Sequence, residues 1–244
     1  MKQTFPHALS ALALALAAGS ANAQVANGNF GGLAGWSTAG DAAAVPAGGN
    51  HLVLTNAWSD GLDDAATDGQ DHNLSGNDPL SAGGGAGGLE DFVGVAGGAF
   101  DPAPGSFPQA YEGSAASQAF TLAAGGTLSF QWNFGTTETS GDPALADMGF
   151  VVIDGQVTKL ASALDTTAVP GGDYAAQTGW QSWSTLLSAG SHTIAFGVVD
   201  VGSAGDSSAL SVTGVSVSSV PESSTLAMFG AGLGVLGLAR RRRA

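Results

Sequence analysis

The chain has 244 residues, with 20 acidic and 6 basic side chains, a formal net charge of −14 and no cysteine. Residues 24–219 hold 19 of the acidic side chains against a single basic one, Lys159, a formal net charge of −18. Such a surface repels nucleic acid and anionic lipid, so we expect no nucleic-acid partner. The lack of cysteine excludes disulfide bonds as a source of stability.

Residues 1–23 have the pattern of a secretory signal peptide. Lys2 precedes an apolar run at residues 8–18, which is shorter than the roughly 20 residues that a membrane-spanning helix needs. Ala21 and Ala23 form the A-x-A pattern for signal peptidase, with cleavage expected before Gln24. We therefore predict export of the mature chain. An uncleaved membrane anchor is the alternative interpretation.

Alternating apolar and polar side chains predict β-strands along much of residues 24–219. The clearest strand is residues 127–134 (TLSFQWNF), which alternate over the whole segment. A strand at residues 117–122 precedes it, and the Ala-Ala-Gly-Gly segment at 123–126 predicts a hairpin turn between the two. The other predicted strands are residues 51–55, 148–153, 156–160, 180–187, 191–200 and 209–217. A turn at Asp154 and Gly155 is predicted between the strands at 148–153 and 156–160, and a β-bulge is predicted at Gly214 in the last strand.

Short strands separated by glycine turns predict an all-β fold. We expect one antiparallel β-sandwich domain of the jelly-roll type, with long loops, over residues 24–219. The stretch between residues 56 and 114 has poor periodicity and includes a short predicted helix at residues 89–93. Loops of this length are uncommon in compact domains, and many of them carry function.

An acidic loop follows the predicted strand at residues 51–55. It contains five aspartates within 12 residues: Asp60, Asp63, Asp64, Asp68 and Asp71. Oxygen ligands at this density suit Ca2+, which takes about six to eight oxygens, although the spacing does not match an EF-hand. A solvated acidic loop without metal explains the same composition, and the sequence does not decide between the two.

Three of the five tryptophans are candidates for stacking on a sugar ring. Trp58 lies in the acidic loop, and Trp180 and Trp183 are three residues apart on a predicted strand. Side chains at that spacing lie on opposite faces, so one of the two is expected to point outward. Trp36 and Trp132 are expected in the core, since Trp132 alternates with core residues and Trp36 follows a turn.

The sequence lacks the common catalytic motifs. The histidines of the mature chain are His51, His72 and His192, and neither G-x-S-x-G nor H-E-x-x-H occurs. His192 alternates with apolar strand residues, as a structural histidine does. Paired glycosidase carboxylates on a recognisable scaffold are also missing. We therefore predict a non-catalytic protein.

The C-terminus combines a short motif, an apolar segment at residues 226–239 and an arginine tail. The motif and tail residues are Val220, Pro221, Glu222, Ser223, Arg240, Arg241, Arg242 and Arg243. A positive flank stays cytoplasmic, so the apolar segment is expected to span the inner membrane once, with the body on the far side.

These C-terminal residues resemble the PEP-CTERM sorting signal of Gram-negative bacteria. The resemblance implies recognition and processing by an exosortase, a membrane transpeptidase-like enzyme, most often in bacteria that make exopolysaccharide. Ser223 stands where the motif usually has proline, which leaves the efficiency of recognition open. A plain C-terminal membrane tail is the alternative interpretation.

The body resembles the jelly-roll-type domains that often precede PEP-CTERM tails. The segments that carry this resemblance are NGNF…GW, YEGSAASQAFTLAAGGTLSFQWNF, FVVIDG and GWQSW…AGSHTIAFGVVDVG…SSALSVTGVSV. Such domains are similar to carbohydrate-binding and other cell-surface sandwich modules. The similarity implies a second calcium candidate, Asp200 with Asp206, although Thr213 and Gly214 stand where a further acid is expected.

Together these features predict a non-catalytic exported surface or extracellular-matrix protein, sorted by exosortase and associated with exopolysaccharide or biofilm. The expected partners are signal peptidase, exosortase and, transiently, the inner membrane. A calcium-dependent, lectin-like carbohydrate-binding module is the alternative function. Ca2+ is the one candidate cofactor, and a solvated acidic loop without metal stays the alternative.

Overall fold

The computed structural model describes residues 25–61, 72–83, 85–103, 107–139, 141–169, 173–202 and 205–219. The predicted signal peptide with its cleavage site, and the predicted sorting segment from residue 220 onward, lie outside the described residues. So do four of the five loop aspartates: Asp63, Asp64, Asp68 and Asp71. No helix within the described ranges is long and apolar enough to cross a membrane.

The described residues are mainly β-strand. In chain order the strands are β1 (Ser37–Ala39), β2 (Asp41–Val45), β3 (His51–Thr55), β4 (Leu80–Ser81), β5 (Ala110–Leu122), β6 (Gly126–Thr136), β7 (Met148–Ile153), β8 (Gln156–Ser162), β9 (Thr167–Ala168), β10 (Ala176–Gln177), β11 (Gln181–Leu187), β12 (Gly190–Val201) and β13 (Ser208–Ser219). The predicted helix is present as α1 (Leu89–Val93), and a short 3-10 helix (Ala163–Asp165) follows β8. The all-β prediction is confirmed.

The strands form two antiparallel sheets. In sheet A the strand order is β1-β5-β12-β7-β8, with β4 also paired to β5. In sheet B the order is β2-β3-β13-β6-β10-β9, with β11 also paired to β6. The predicted antiparallel sandwich is therefore confirmed. Its finer assignment as a jelly roll stays a prediction.

The main core lies between the two sheets and follows from strand alternation. Every second residue of β6, including Phe130 and Phe134, points inward and is buried. These side chains meet the inward residues of β12, and the ring centroids of Phe130 and Phe196 are 4.8 Å apart. Trp36 and Trp132 are buried in the same core, as predicted.

The outer face of sheet A is covered as well. Leu89 of α1 and Phe100 pack against Phe150 of β7 and Val199 of β12, in a second cluster of buried side chains. The rings of Phe100 and Phe150 lie 4.3 Å apart. Because β7 and β12 are buried on both faces, their sequences are nearly continuous apolar runs. The outer face of sheet B, in contrast, carries an open cleft.

The connection at residues 123–126 is not the predicted hairpin turn. β5 belongs to sheet A and β6 to sheet B, so the chain crosses between the sheets here. Leu122 and Leu128, on either side of the crossing, are both buried in the shared core. A crossing keeps the inward residues of both strands in that core, and it needs the same alternation and the same glycines as a hairpin.

Two other local predictions are confirmed. β7 and β8 pair through the turn at Asp154 and Gly155, where both residues have positive φ. The pairing of β13 with β6 shifts between Thr213 and Ser216, and Gly214 between them has a φ of 66°. The bulge therefore lies where the apolar alternation of β13 changes phase.

Candidate functional site

A cleft of about 390 Å3 opens on the outer face of sheet B. Its floor consists of outward-facing residues of three neighbouring strands, namely Val53, Ala209, Ser211, Asn133 and Gly135. The residues between them, Leu54, Leu210 and Phe134, point the other way into the core. Because most of the floor side chains are small, the surface of the sheet is recessed here.

The floor is continuous because the strand register places its residues side by side. Ser211 of β13 pairs with Val53 of β3 on one side and with Asn133 of β6 on the other. Two residues further along, Gly135 of β6 pairs with Ala209 and also with Gln177 of β10. Since residues two apart on a strand share a face, both rows contribute to the same surface.

One wall of the cleft is an aromatic pair. Trp180, just before β11, is 49% exposed, and its ring meets the His51 ring edge-on with centroids 5.9 Å apart. His51 is fixed in turn by a hydrogen bond from its Nδ1 to the Gly49 carbonyl oxygen at 2.7 Å. β3 and β11 lie on opposite sides of β13 and β6, so the two rings approach each other over the floor.

The other wall is a second aromatic pair. The rings of His72 and Tyr174 stack with centroids 4.6 Å apart. Tyr174 lies directly over Gly135, because a Cβ atom added to this glycine would be 3.1 Å from the tyrosine ring. Because position 135 has no side chain, the Tyr174 ring packs directly on the sheet there.

A buried aspartate holds the loop that carries His72 and Leu74. Asp41 of β2 is fully buried, and its carboxylate accepts hydrogen bonds from the backbone N–H groups of Leu74 (3.0 Å) and Ser75 (2.7 Å). The Thr55 hydroxyl donates a third hydrogen bond to the same carboxylate. Three donors compensate for burying this charge, so Asp41 fixes one margin of the cleft.

The polar groups of the floor are held in fixed orientations. Asn133 Nδ2 donates to Gln177 Oε1 at 3.0 Å, and Asn133 Oδ1 accepts from the Thr178 hydroxyl at 3.2 Å. Asn133 engages the Gln177 oxygen, and the Nε2 group of Gln177 is a hydrogen-bond donor. Oriented amides and hydroxyls beside aromatic rings can hold a hydroxyl-rich ligand.

The charge of the cleft is slightly negative. Asp173, which is exposed, is the one carboxylate among the described lining residues, and no lysine or arginine is among them. The histidines of the lining are His51 and His72. The cleft therefore does not have the strong positive charge of a phosphate or nucleic-acid site.

The histidine–aspartate pair elsewhere in the fold has a structural role. His192 Nδ1 lies 2.7 Å from Asp154 Oδ2, and its Nε2 lies 3.0 Å from the Ser188 carbonyl oxygen, so protein groups occupy both ring nitrogens. The hydrogen bond from Asp154 raises the pKa of His192. Partial burial opposes ionisation of Asp154, but hydrogen bonds from His192 and Thr193 outweigh it and lower the pKa of that carboxyl. The pair ties the β7–β8 turn to β12.

The calcium candidates receive no assembled site within the described ranges. Asp60 is exposed, Asp200 is buried on β12, and Asp206 is half-buried before β13. In that part of the chain, no three histidine, aspartate or glutamate side chains are arranged to hold a metal ion. Calcium binding by the acidic loop stays a prediction about residues that are mostly outside these ranges.

Of the three tryptophans predicted to stack on sugars, Trp180 alone lines the cleft. Trp58 is half-buried, and its indole N–H donates to Glu112 Oε1 at 2.8 Å. Trp183 packs against the core, with its ring stacked 5.0 Å from that of Phe130. The outward member of the pair is therefore Trp180. Sequence reasoning did not select Tyr174 or His72, which lie in segments without periodicity.

Comparisons with known proteins give distant structural neighbours only. No family model matches the chain, and no curated protein matches it. Among solved structures, a cleaved adhesin domain of Lys-gingipain from Porphyromonas gingivalis is 15% identical over 82% of this chain and 98% of its own, with a TM-score of 0.38. A family 35 carbohydrate-binding module from an environmental isolate is 17% identical over 44% of this chain and 71% of its own, with a TM-score of 0.23. A family 35 module from Clostridium thermocellum has a TM-score of 0.22 at 16% identity, over 41% of this chain and 69% of its own. These scores are too low to transfer a ligand to this chain.

Proposed function

We propose that this chain is a non-catalytic, exported surface or extracellular-matrix protein whose β-sandwich binds polysaccharide in the sheet B cleft. The observation that carries the proposal is Trp180, which is 49% exposed, with its ring edge-on to His51 beside a recessed floor that includes Asn133 and Ser211. The cleft gathers exposed apolar surface, since Leu74 in its lining is also 49% exposed, and such a surface suits a ligand. A sugar fits this lining, because its apolar C–H face stacks on an aromatic ring while its hydroxyls bond to amides.

The rigidity of the cleft supports the same function. Tyr174 is seated on Gly135 and stacked on His72, and the loop with Leu74 is tied to Asp41. Walls that are already fixed lose little conformational entropy when a ligand binds. A binding module gains affinity from this arrangement without any catalytic group.

The proposal includes export and sorting, which rest on the sequence. Signal peptidase cleaves before Gln24, and the motif at Val220, Pro221, Glu222 and Ser223 delivers the chain to an exosortase. The segment before the arginine tail anchors the chain transiently in the inner membrane of a Gram-negative cell. The mature protein then acts at the cell surface or outside the cell, with exopolysaccharide as its neighbour.

The test is polysaccharide binding by the purified protein and by two matched variants. Trp180→Ala removes the exposed ring, and Leu186→Ala removes a side chain that is 74% exposed on β11 but does not line the cleft. We expect retention on at least one immobilised polysaccharide, weakened roughly tenfold or more by Trp180→Ala and unchanged by Leu186→Ala, as for loss of an interface anchor.

Each arm has an outcome that contradicts the proposal. Failure to bind any polysaccharide of a broad panel refutes the binding function. If Trp180→Ala binds as well as the natural protein, the binding site lies outside this cleft. Release of reducing sugar from a bound polysaccharide refutes the non-catalytic assignment. Loss of binding on chelation favours the calcium-dependent, lectin-like alternative.

A further inference from the structure

This inference rests on the proposed polysaccharide binding and concerns the charge of the sugar. Proteins that hold anionic sugars by ion pairs use arginine or lysine. None of the described residues lining the cleft is arginine or lysine. Lys159, the single basic residue of residues 24–219, lies on β8 of sheet A, with its Nζ 3.5 Å from the Ser162 hydroxyl. Sheet B therefore has no arginine or lysine of its own to neutralise a uronate or a sulfate among these residues.

The cleft carries a carboxylate where an anion-binding site would carry a cation. Asp173 is exposed and adjoins Tyr174, whose ring forms part of one wall. At long range, the 19 acidic residues of residues 24–219 repel a polyanion. At short range, Asp173 places a like charge beside any anionic group on a bound sugar, which is a repulsive element of specificity.

The lining of the cleft suits an uncharged sugar. Gly135, which lies beneath Tyr174, pairs with Ala209 of β13, and Ala209 pairs with Thr55 of β3. Thr55 is four residues beyond His51 on the same strand. At about 3.3 Å per residue, the backbone of His51 lies about 13 Å along the strands from the row beneath Tyr174. Ser211 and Gln177 are hydrogen-bonding groups of the lining.

We propose that the cleft selects uncharged polysaccharides and that Asp173 is a specificity-determining residue that rejects chains bearing carboxylate or sulfate groups. Trp180 supplies affinity for the sugar ring whatever its charge. Asp173 and the acidic surface then discriminate between neutral and anionic rings of similar shape. The charge discrimination weakens as salt screens it, whereas stacking does not.

The test compares three sets of polysaccharides with the full protein at low and high salt. The neutral set contains glucans, mannans, galactans and xylans; the anionic set contains alginate, polygalacturonate and dextran sulfate; chitosan is the cationic member. We expect Trp180-dependent binding to a member of the neutral set and none to the anionic set. Carboxymethylation of the neutral polysaccharide that binds should weaken its retention at low salt.

Charge reversal provides the matched variants. Asp173→Lys is expected to strengthen binding of the carboxymethylated polysaccharide by up to about tenfold at low salt, an effect that fades at high salt, while binding of the uncharged parent changes little. Asp142→Lys makes the same charge change at an exposed residue that does not line the cleft, and should have a smaller effect.

The possible failures are separable. Trp180-dependent binding to an anionic polysaccharide, or to chitosan in preference to every neutral one, overturns the charge selection but keeps the polysaccharide-binding function. Equal effects of Asp173→Lys and Asp142→Lys overturn the role of Asp173. Absence of binding to all three sets refutes the proposed function itself, and with it this inference.

Discussion

Glu138 and Asp147 meet in a buried corner at one end of the sandwich. The Asp147 N–H donates to Glu138 Oε2 at 3.0 Å, and the Asp147 carboxylate accepts from Val201 N and Asn56 Nδ2. Burial raises the pKa of Glu138 to about 7, and burial together with Glu138 raises the pKa of Asp147 well above its usual range. Since no basic side chain among the described residues pairs with these carboxyl groups, burying them costs less free energy when they are protonated.

The raised pKa values predict that stability falls as the pH rises. The folded protein holds these protons more tightly than the unfolded chain, whose carboxyls titrate near their ordinary values of 4.5 and 3.8. The contribution is complete below about pH 4 and is lost as the pH rises through about 7 for Glu138 and about 8 for Asp147. The Glu138 shift alone corresponds to at most about 3 kcal/mol. Urea unfolding between pH 5 and pH 8 should show this decline, and Glu138→Gln should make it shallower. Asp142→Asn, at an exposed aspartate, is the control. If the unfolding free energy of Glu138→Gln declines with pH as steeply as that of the natural protein, Glu138 is not a source of the decline.

Single residues differed in how far the sequence could predict them. The sequence predicted that one of Trp180 and Trp183 points outward, because side chains three apart on a strand face opposite sides, but not which one. Trp183 packs against the core and Trp180 is exposed. Tyr174 and His72 could not be predicted, because long-range contacts bring their segments onto the sheet. Besides Trp180, a sequence signal of the cleft is the small size of outward residues such as Gly135, Ala209 and Ser211.

At the level of elements, alternation predicted strands well and connections poorly. The inward and outward residues of β6, β12 and β13 follow from their sequences, including the phase change at Gly214. The crossing between β5 and β6 did not, because a hairpin and a crossing need the same alternation on both strands. Which sheet a strand joins depends on partners far along the chain, such as β12 for β5.

A test at the level of β6 is Gly135→Ala, which adds one methyl group beneath Tyr174. The new Cβ atom would lie 3.1 Å from the tyrosine ring, so the ring must move and its stacking on His72 is disturbed. We expect polysaccharide retention to fall about fivefold, with a change in unfolding free energy within about 1 kcal/mol. Gly32→Ala is the matched control, since a Cβ there meets nothing within 4 Å. Unchanged retention in Gly135→Ala would remove Tyr174 from the binding surface.

The whole molecule uses its two sheets differently. The segment with α1 and Phe100 covers the outer face of sheet A, and this gives β7 and β12 a second buried surface. The outer face of sheet B is left to the cleft. One face of the sandwich therefore contributes stability, while the other carries the cleft that we propose binds polysaccharide.

Sorting can be tested on the intact chain in its own cell. If exosortase acts at the motif, the exported protein should lack Arg240 to Arg243 when its C-terminus is read by mass spectrometry. A Pro221→Ala, Glu222→Ala double variant should instead keep the tail and accumulate in the inner membrane, because the apolar segment and its positive flank then stay in place. Ser223→Pro restores the usual residue of the motif and should be processed at least as completely as the natural chain. An intact arginine tail in the inner membrane fraction of the natural protein contradicts sorting, and it would make the C-terminus a permanent anchor that holds the cleft at the membrane surface.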